Sequence, residues 1–209
     1  MAEANDDGVI RSLAALEALY DAPARGSIVK ECDHIHPLYR PFIEAAPFVV
    51  LATAGPEGPD LSPRGDGPGF LRVTGAREVL MPDRRGNNRL DSLRNIVTNP
   101  RVALLFIVPG VGETLRLTGR AEVTTDPGLC ASFAQNGQSP RVVVRIAVSK
   151  VFFQCSRAVL RAKLWDPGAQ IPRSALPSPG AILVALSGGE VGGAAYDEAL
   201  PARLRDTLY

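Results

Sequence analysis

Residues 114–124, TLRLTGRAEVT, alternate apolar and polar side chains almost without a break, and that two-residue period limits the fold more than any other feature of the chain. Leu115, Leu117, Ala121 and Val123 share one face, and Thr114, Arg116, Thr118, Arg120 and Glu122 share the other. This is the pattern of a long antiparallel strand with one face buried. Its neighbours in sequence fit the same sheet. FVVLATAG (48–55) and RVALLFIVPG (101–110) are β-branched, nearly continuous apolar runs bounded by Gly and Pro. DLSPRG, GFLRVT and EVLMPD read as shorter strands around a Gly/Pro turn, and RVVVRIAVSKVFFQ as another long one. At least six strands therefore lie between residues 48 and 154 without one helix per connection. That spacing excludes a doubly wound parallel sheet and predicts a mainly β protein, an antiparallel barrel with peripheral helices.

Helical signals surround these strands. GVIRSLAALEALY (8–20) spaces Ile10, Leu13, Leu16, Leu19 and Tyr20 as an amphipathic helix, and a loop with Pro23 and Gly26 follows. HPLYRPFIEAA reads as a short helix from Pro37, carrying Phe42 and Ile43 and ended by Pro47. In GNNRLDSLRNIVTNP, Leu90, Leu93 and Val97 make the apolar face, Asn88 is the expected N-cap, and Asp91 resembles a capping-box partner. Asp126-Pro127 opens another short helix, SRAVLRAKLWD is helical up to Pro167, and weak helices are expected near 179–187 and 197–208. The 209 residues form one domain. Residues 1–47 are a helical extension, 48–167 the barrel, and 168–209 a tail with short helices.

Composition removes several functional classes. A net charge of +1 makes neither nucleic acid nor an acidic membrane surface a partner, and no apolar run is long enough to span a bilayer. The N-terminus, MAEANDDGVIRS, does not read as a signal peptide. Cys32, Cys130 and Cys155 are odd in number and widely spaced, which fits a reducing, cytoplasmic setting. GDGPGF has fingerprint-like glycines, but no helix follows it. CDHIH holds Cys32, His34 and His36 with no second cluster to complete a metal site, and there is no GxSxG nucleophile elbow.

The most informative stretch is MPDRRGNNRLDSLRN (81–95), where a strand ends, an arginine-rich turn follows and a helix begins. A helix N-terminus attracts anions, Asn88 and Arg89 stand at its start, and Arg64 on a preceding strand offers a second guanidinium. On these residues alone the arrangement is either a phosphate site or a turn whose Arg84, Arg85 and Arg89 are solvated.

In order along the chain, SPRGD, EVLMPDRRGNNRLDSLRNI, NPRVALLF, GETLRLTGRAEV and FFQCSRAVLRAKLWDP resemble the pyridoxamine-phosphate-oxidase-like flavoproteins. They more closely resemble a bacterial subgroup of FMN-dependent enzymes, over about residues 40–167. The resemblance implies an antiparallel FMN-binding split β-barrel, a homodimer with FMN between subunits, and oxidoreductase chemistry on a small-molecule substrate. By motif, Arg64 and Arg89 would hold the FMN phosphate. Asn87 and Asn88 belong to the same turn, and Met81, Pro82 and Asp83 would meet the isoalloxazine ring through their backbone. Thr114 falls where the oxidase has a glutamine beside the ring, and Arg161 and Trp165 near arginines that reach the site from the partner subunit. Gln154 stands where the subgroup carries a histidine, and the oxidase's C-terminal substrate signature is not reproduced, so pyridoxamine phosphate is not the expected substrate. The alternative is a non-catalytic flavin- or haem-binding sensor or storage module, with His34 or His36 as the haem ligand. A deazaflavin in place of FMN also stays open.

Overall fold

The computed structural model describes residues 8–209, and places seven strands in one sheet in the order β2-β1-β5-β6-β7-β4-β3. The strands are β1 (Phe48–Gly55), β2 (Gly58–Gly65), β3 (Arg72–Gly75), β4 (Glu78–Pro82), β5 (Arg101–Ile107), β6 (Thr114–Thr124) and β7 (Val143–Gln154). Every neighbouring pair is antiparallel. The two edges, β2 and β3, do not pair with each other, so the barrel is split, as expected for this fold class. Pro59 and Pro63 sit on β2, where a missing N–H costs nothing on the open side.

The core fills the barrel with Leu51, Phe106, Leu117, Ile146 and Val151, all buried. The alternation read from β6 holds along its length, with Leu115, Leu117 and Ala121 inside and Arg116, Arg120 and Glu122 exposed. On β7 the phase changes: Val144, Ile146 and Val148 face inward, and then Val151 does. The cause is a bulge. Thr118 pairs with Lys150 and Gly119 with Val148, which leaves Ser149 as the extra residue. Gly119 is required there, because a Cβ at this position would lie 2.3 Å from the Ala147 carbonyl oxygen.

The N-terminal segment differs from its sequence reading in three ways. Helix α1 spans only Leu13–Glu17, and Leu13, Leu16, Leu19 and Tyr20 are exposed rather than packed on the barrel. Helix α2 (Arg25–Val29) replaces the expected loop. Helix α3 begins at Arg40, three residues after Pro37, and runs to Ala45. Its Ile43 is fully buried and plugs the barrel, and it packs against β3. The β2–β3 connection is tied to the end of α3, since Gly69 donates to the Glu44 carbonyl and Asp66 to that of Pro47. Phe70 and Leu71 are buried there but precede β3, so GFLRVT is strand only from Arg72.

Helix α4 (Asp91–Thr98) also departs from expectation. Asn88 is not its N-cap: Leu90 occupies that position, and both residues have left-handed backbone, φ 58° and 63°. With the start two residues later, the buried face is Ser92 and Ile96, with Leu93 half-buried, and Leu90 and Val97 are exposed. Apolar spacing at 90, 93 and 97 misled because the turn before the helix takes its first residues. Helix α6 (Arg157–Ala162) ends at a left-handed Lys163, short of the Asp166 to which the sequence reading carried it, whereas α5 (Pro127–Ser132), capped by Asp126, stands where the sequence places it. So do α7 (Pro179–Leu186) and α8 (Ala194–Asp206), which pack on each other.

Gly119→Ala is expected to destabilise the protein by about 1–3 kcal/mol, because β7 must move away from β6 to admit the methyl group. A lowered urea midpoint with an unchanged slope checks this; an unchanged midpoint would show that the bulge has slack.

Candidate functional site

Strand β2 is polar on the side where a barrel strand is normally apolar. Arg64, Ser62 and Asp60 pair with Val49, Leu51 and Thr53, which face inward, while Leu61 on the opposite side is 70% exposed. Two of these polar residues touch other elements. The Ser92 hydroxyl of α4 donates to Asp60 (3.2 Å), and Arg64 reaches across the split to β4.

There, Arg64 Nη1 donates to Asp83 Oδ1 at 2.7 Å. A second pair crosses it with the charges exchanged: Arg84 Nε donates to Asp66 Oδ2 at 2.6 Å. Arg84 Nη1 also donates to the Phe133 carbonyl, and the Tyr209 hydroxyl donates to Asp66 Oδ1 at 2.8 Å. The Arg84–Asp66 side chains are 14% and 3% exposed, so this pair is held almost entirely by protein. Arg64 retains one unused group. Its Nε is buried and has no hydrogen-bond acceptor, the sole such side-chain atom among the described residues. A buried guanidinium N–H without an acceptor is costly.

The two aspartates respond to this setting in opposite senses. Burial raises the Asp83 carboxyl above its ordinary value, and the Arg64 guanidinium offsets it only in part. Burial works the same way on Asp66, but hydrogen bonds from Tyr209 and Gly67 together with Arg84 outweigh it and lower that carboxyl. The same hydrogen bond raises the Tyr209 phenol.

Of the residues singled out in sequence, Arg64 and Asp83 are in direct contact. Met81 points into the core and is 1% exposed, so only its backbone is available. β4 runs past its pairing with β3, which ends at Leu80, and Met81 and Pro82 have no strand partner on that side. Arg89 does not converge on Arg64. Its Nε donates to Asp91 at 2.7 Å, and that bond, the Asp91 charge and Asp60 raise its pKa. Asp60 and Arg64 are separated by roughly 13 Å of extended strand. Asn87 and Asn88 are exposed in the turn, and the Asn87 side chain accepts from the Arg89 N–H. Thr114 is the register partner of Gln154, which places the residue at the subgroup's histidine position beside the residue at the oxidase's glutamine position. Trp165 Nε1 donates to the Val111 carbonyl at 2.7 Å, securing the end of α6 to the β5–β6 loop, and Arg161 is exposed.

Sequence reasoning missed Asp66, Arg84 and Tyr209. Arg84 reads as a solvated turn residue and is instead buried in the seam. The complementary signal was present, an Arg-x-Asp in one segment and an Asp-Arg in another, but nothing in the sequence pairs two segments across a split. His34 Nδ1 lies 2.8 Å from Asp33, and the His36 ring stands 6.4 Å from that of His34. Among the described residues no group of three or more His, Cys, Asp or Glu could hold a metal ion, and no helix is long and apolar enough to cross a membrane.

The pyridoxamine 5'-phosphate oxidase family model matches residues 35–155. Solved structures with a similar chain path include HupZ from Group A Streptococcus, with 20% identity and a TM-score of 0.48 over 58% of this chain and 95% of that one. An FMN-binding protein from Syntrophomonas wolfei shares 8% identity, with a TM-score of 0.43 over 55% of this chain and 82% of that one. No curated protein matches the chain.

Tyr209→Phe tests the seam. The variant is expected to lose about 1 kcal/mol at neutral pH, the worth of one hydrogen bond to a carboxylate. A lowered carboxyl stabilises the fold above its unfolded-state pKa and ceases to do so as pH falls through its folded-state value. The gap between wild type and variant should therefore be full at pH 7 and close below about pH 4. Chemical denaturation across pH reads it, and a gap that widens in acid would refute the assignment.

Proposed function

The chain belongs to the pyridoxamine 5'-phosphate oxidase family, and from that premise we propose that it is an FMN-binding oxidoreductase that works as a homodimer on a small-molecule substrate. The observation that carries this reading is the unpartnered Nε of Arg64 at the end of the inward polar stripe of β2. Arg64 holds Asp83 through Nη1 and keeps Nε free, so it can take a phosphate oxygen without giving up the ion pair that closes the seam. The residues of this chain suit the group. Arg64 supplies the charge-assisted donor, the backbone of Met81, Pro82 and Asp83 offers an edge free of β3, and Asn87, Asn88 and Arg89 are exposed polar groups in the turn that follows.

A bound flavin supplies the electron and hydride chemistry. The chain supplies placement: Arg64 neutralises negative charge, and the seam pairs keep β2 and β4 at a fixed separation. Thr114, Arg161 and Trp165 stand at the far end of β6 and beyond, where they would contribute to a site shared between two subunits.

The homodimer reading rests on the outer sheet face. An antiparallel strand with one wet face should be polar there. On β1 and β5 the outward positions hold Phe48, Val50, Leu105 and Ile107, and on β2 Pro63 and Leu61, so the outward face of this part of the sheet is apolar. A second copy laid against this surface would remove it from water.

The visible absorption spectrum of the purified protein is the deciding measurement, followed by chromatography of what heat releases. Flavin bands and released FMN are expected, whereas a colourless protein that does not take up added FMN would overturn the proposal. A released deazaflavin would keep the site and change the cofactor. Arg64→Gln is expected to weaken FMN binding by at least about tenfold, and Arg89→Ala by less, because Arg89 is exposed and already committed to Asp91. Sedimentation should give the mass of two chains, and Val50→Asp should shift it toward one.

A further inference from the structure

Arg101 on β5 and Arg120 on β6 are direct register partners. Both are exposed, and neither has an ion-pair or hydrogen-bonded acidic partner among the described residues. Like charges directly opposite on neighbouring strands destabilise a sheet. Elsewhere on the barrel an arginine in such a position is neutralised; Arg145, for example, has both Glu122 and Glu78.

This cationic pair borders an open groove of about 530 Å³. Small side chains create it: Ala52 and Ala54 of β1, Ala103 of β5 and Thr118 of β6 leave the outer face of the sheet hollow. Ser149 completes the lining, and it is the extra residue of the β7 bulge, unpaired with β6. A bulge re-aims a side chain, and here Gly119 permits it by letting the Ala147 carbonyl approach. The groove is separate from the seam site. Ala52 and Ala103 face outward, whereas Arg64 lies on the inward side of β2 with Val49.

We infer that this groove is a second binding site, for an oxyanion, carboxylate or phosphate, carried on a small flat apolar body. The two guanidinium groups neutralise the anion and relieve their mutual repulsion, the hydroxyls of Thr118 and Ser149 are available to its oxygens, and the alanine floor accepts a planar group that a larger side chain would exclude. The site does not depend on flavin binding; it lies on the same outward face as the proposed dimer surface, at the Arg101–Arg120 end, and needs that end left open by the second copy.

The test uses the full chain, labelled with ¹⁵N, titrated separately with inorganic phosphate and with benzoate. Saturable shifts are expected at the amides of Ala103, Thr118, Gly119, Arg120 and Ser149, with benzoate tighter because it also covers the floor. The double variant Arg101→Gln, Arg120→Gln should weaken both probes by about tenfold or more, the loss of roughly 1.4 kcal/mol or more, with FMN occupancy unchanged. Should that variant fail to fold, Ala103→Phe fills the groove and should abolish benzoate binding. Linear titrations, wild-type affinity in the variants, or shifts confined to the surroundings of Arg64 would each overturn the proposal. Equal affinity for the two probes would overturn the apolar floor and leave a simple anion site.

Discussion

Two ion pairs with exchanged charges hold the barrel shut. The sheet ends at β2 on one side and at β3 on the other, with no ladder between them, so closure falls to side chains. Arg64 and Asp66 at the end of β2 meet Asp83 and Arg84 at the end of β4, and helix α3 inserts Ile43 beneath. A buried pair of this kind contributes little net stability over an apolar contact, but breaking one partner leaves a buried charge and costs about 3–5 kcal/mol. It acts as a register device. Any other alignment of the two edges would strand four charges in a place with little water.

The same constraint creates the candidate site. A β2 that had to carry Arg64 inward also carries Asp60 and Ser62 inward, because residues two apart share a face. The inward stripe is therefore polar, the outward side holds Leu61 and Pro63, and the usual polarity of a barrel strand is inverted at this edge. One inversion has two consequences. Inside, a buried guanidinium N–H lacks an acceptor, and outside, an apolar surface lacks a cover. Tyr209 reaches the same cluster from a residue 143 positions away in sequence, so the C-terminal segment reports on the state of the seam.

Much of the sheet was legible in the chain. Unbroken alternation on β6 gave the face of each residue correctly, and the β-branched runs of β1, β5 and β7 gave three more strands, because a period of two is a local property of side-chain direction. Helix α5 was legible for a similar reason: Asp126 caps it with a side-chain bond to Leu129 N–H. Where reading failed, a non-local or left-handed feature had intervened. The α4 face was misplaced because Asn88 and Leu90 adopt positive φ and delay the helix. The α1 apolar stripe is genuine in sequence, but its residues Leu13 and Leu16 find no partner on the barrel.

The sequence by itself determined most of the strands, the inward face of β6, the family likeness and the identity of Arg64 and Asp83 as residues of interest. All of these follow from local periodicity or from motifs of adjacent residues. Only the tertiary structure decided that Arg64 and Asp83 touch, that Arg89 stands apart with Asp91, and that Asp66, Arg84 and Tyr209 join the cluster. It alone placed Arg101 opposite Arg120 beside a hollow floor. Such contacts depend on strand order and register, which are set by the packing of the whole core, and no window of neighbouring residues contains them.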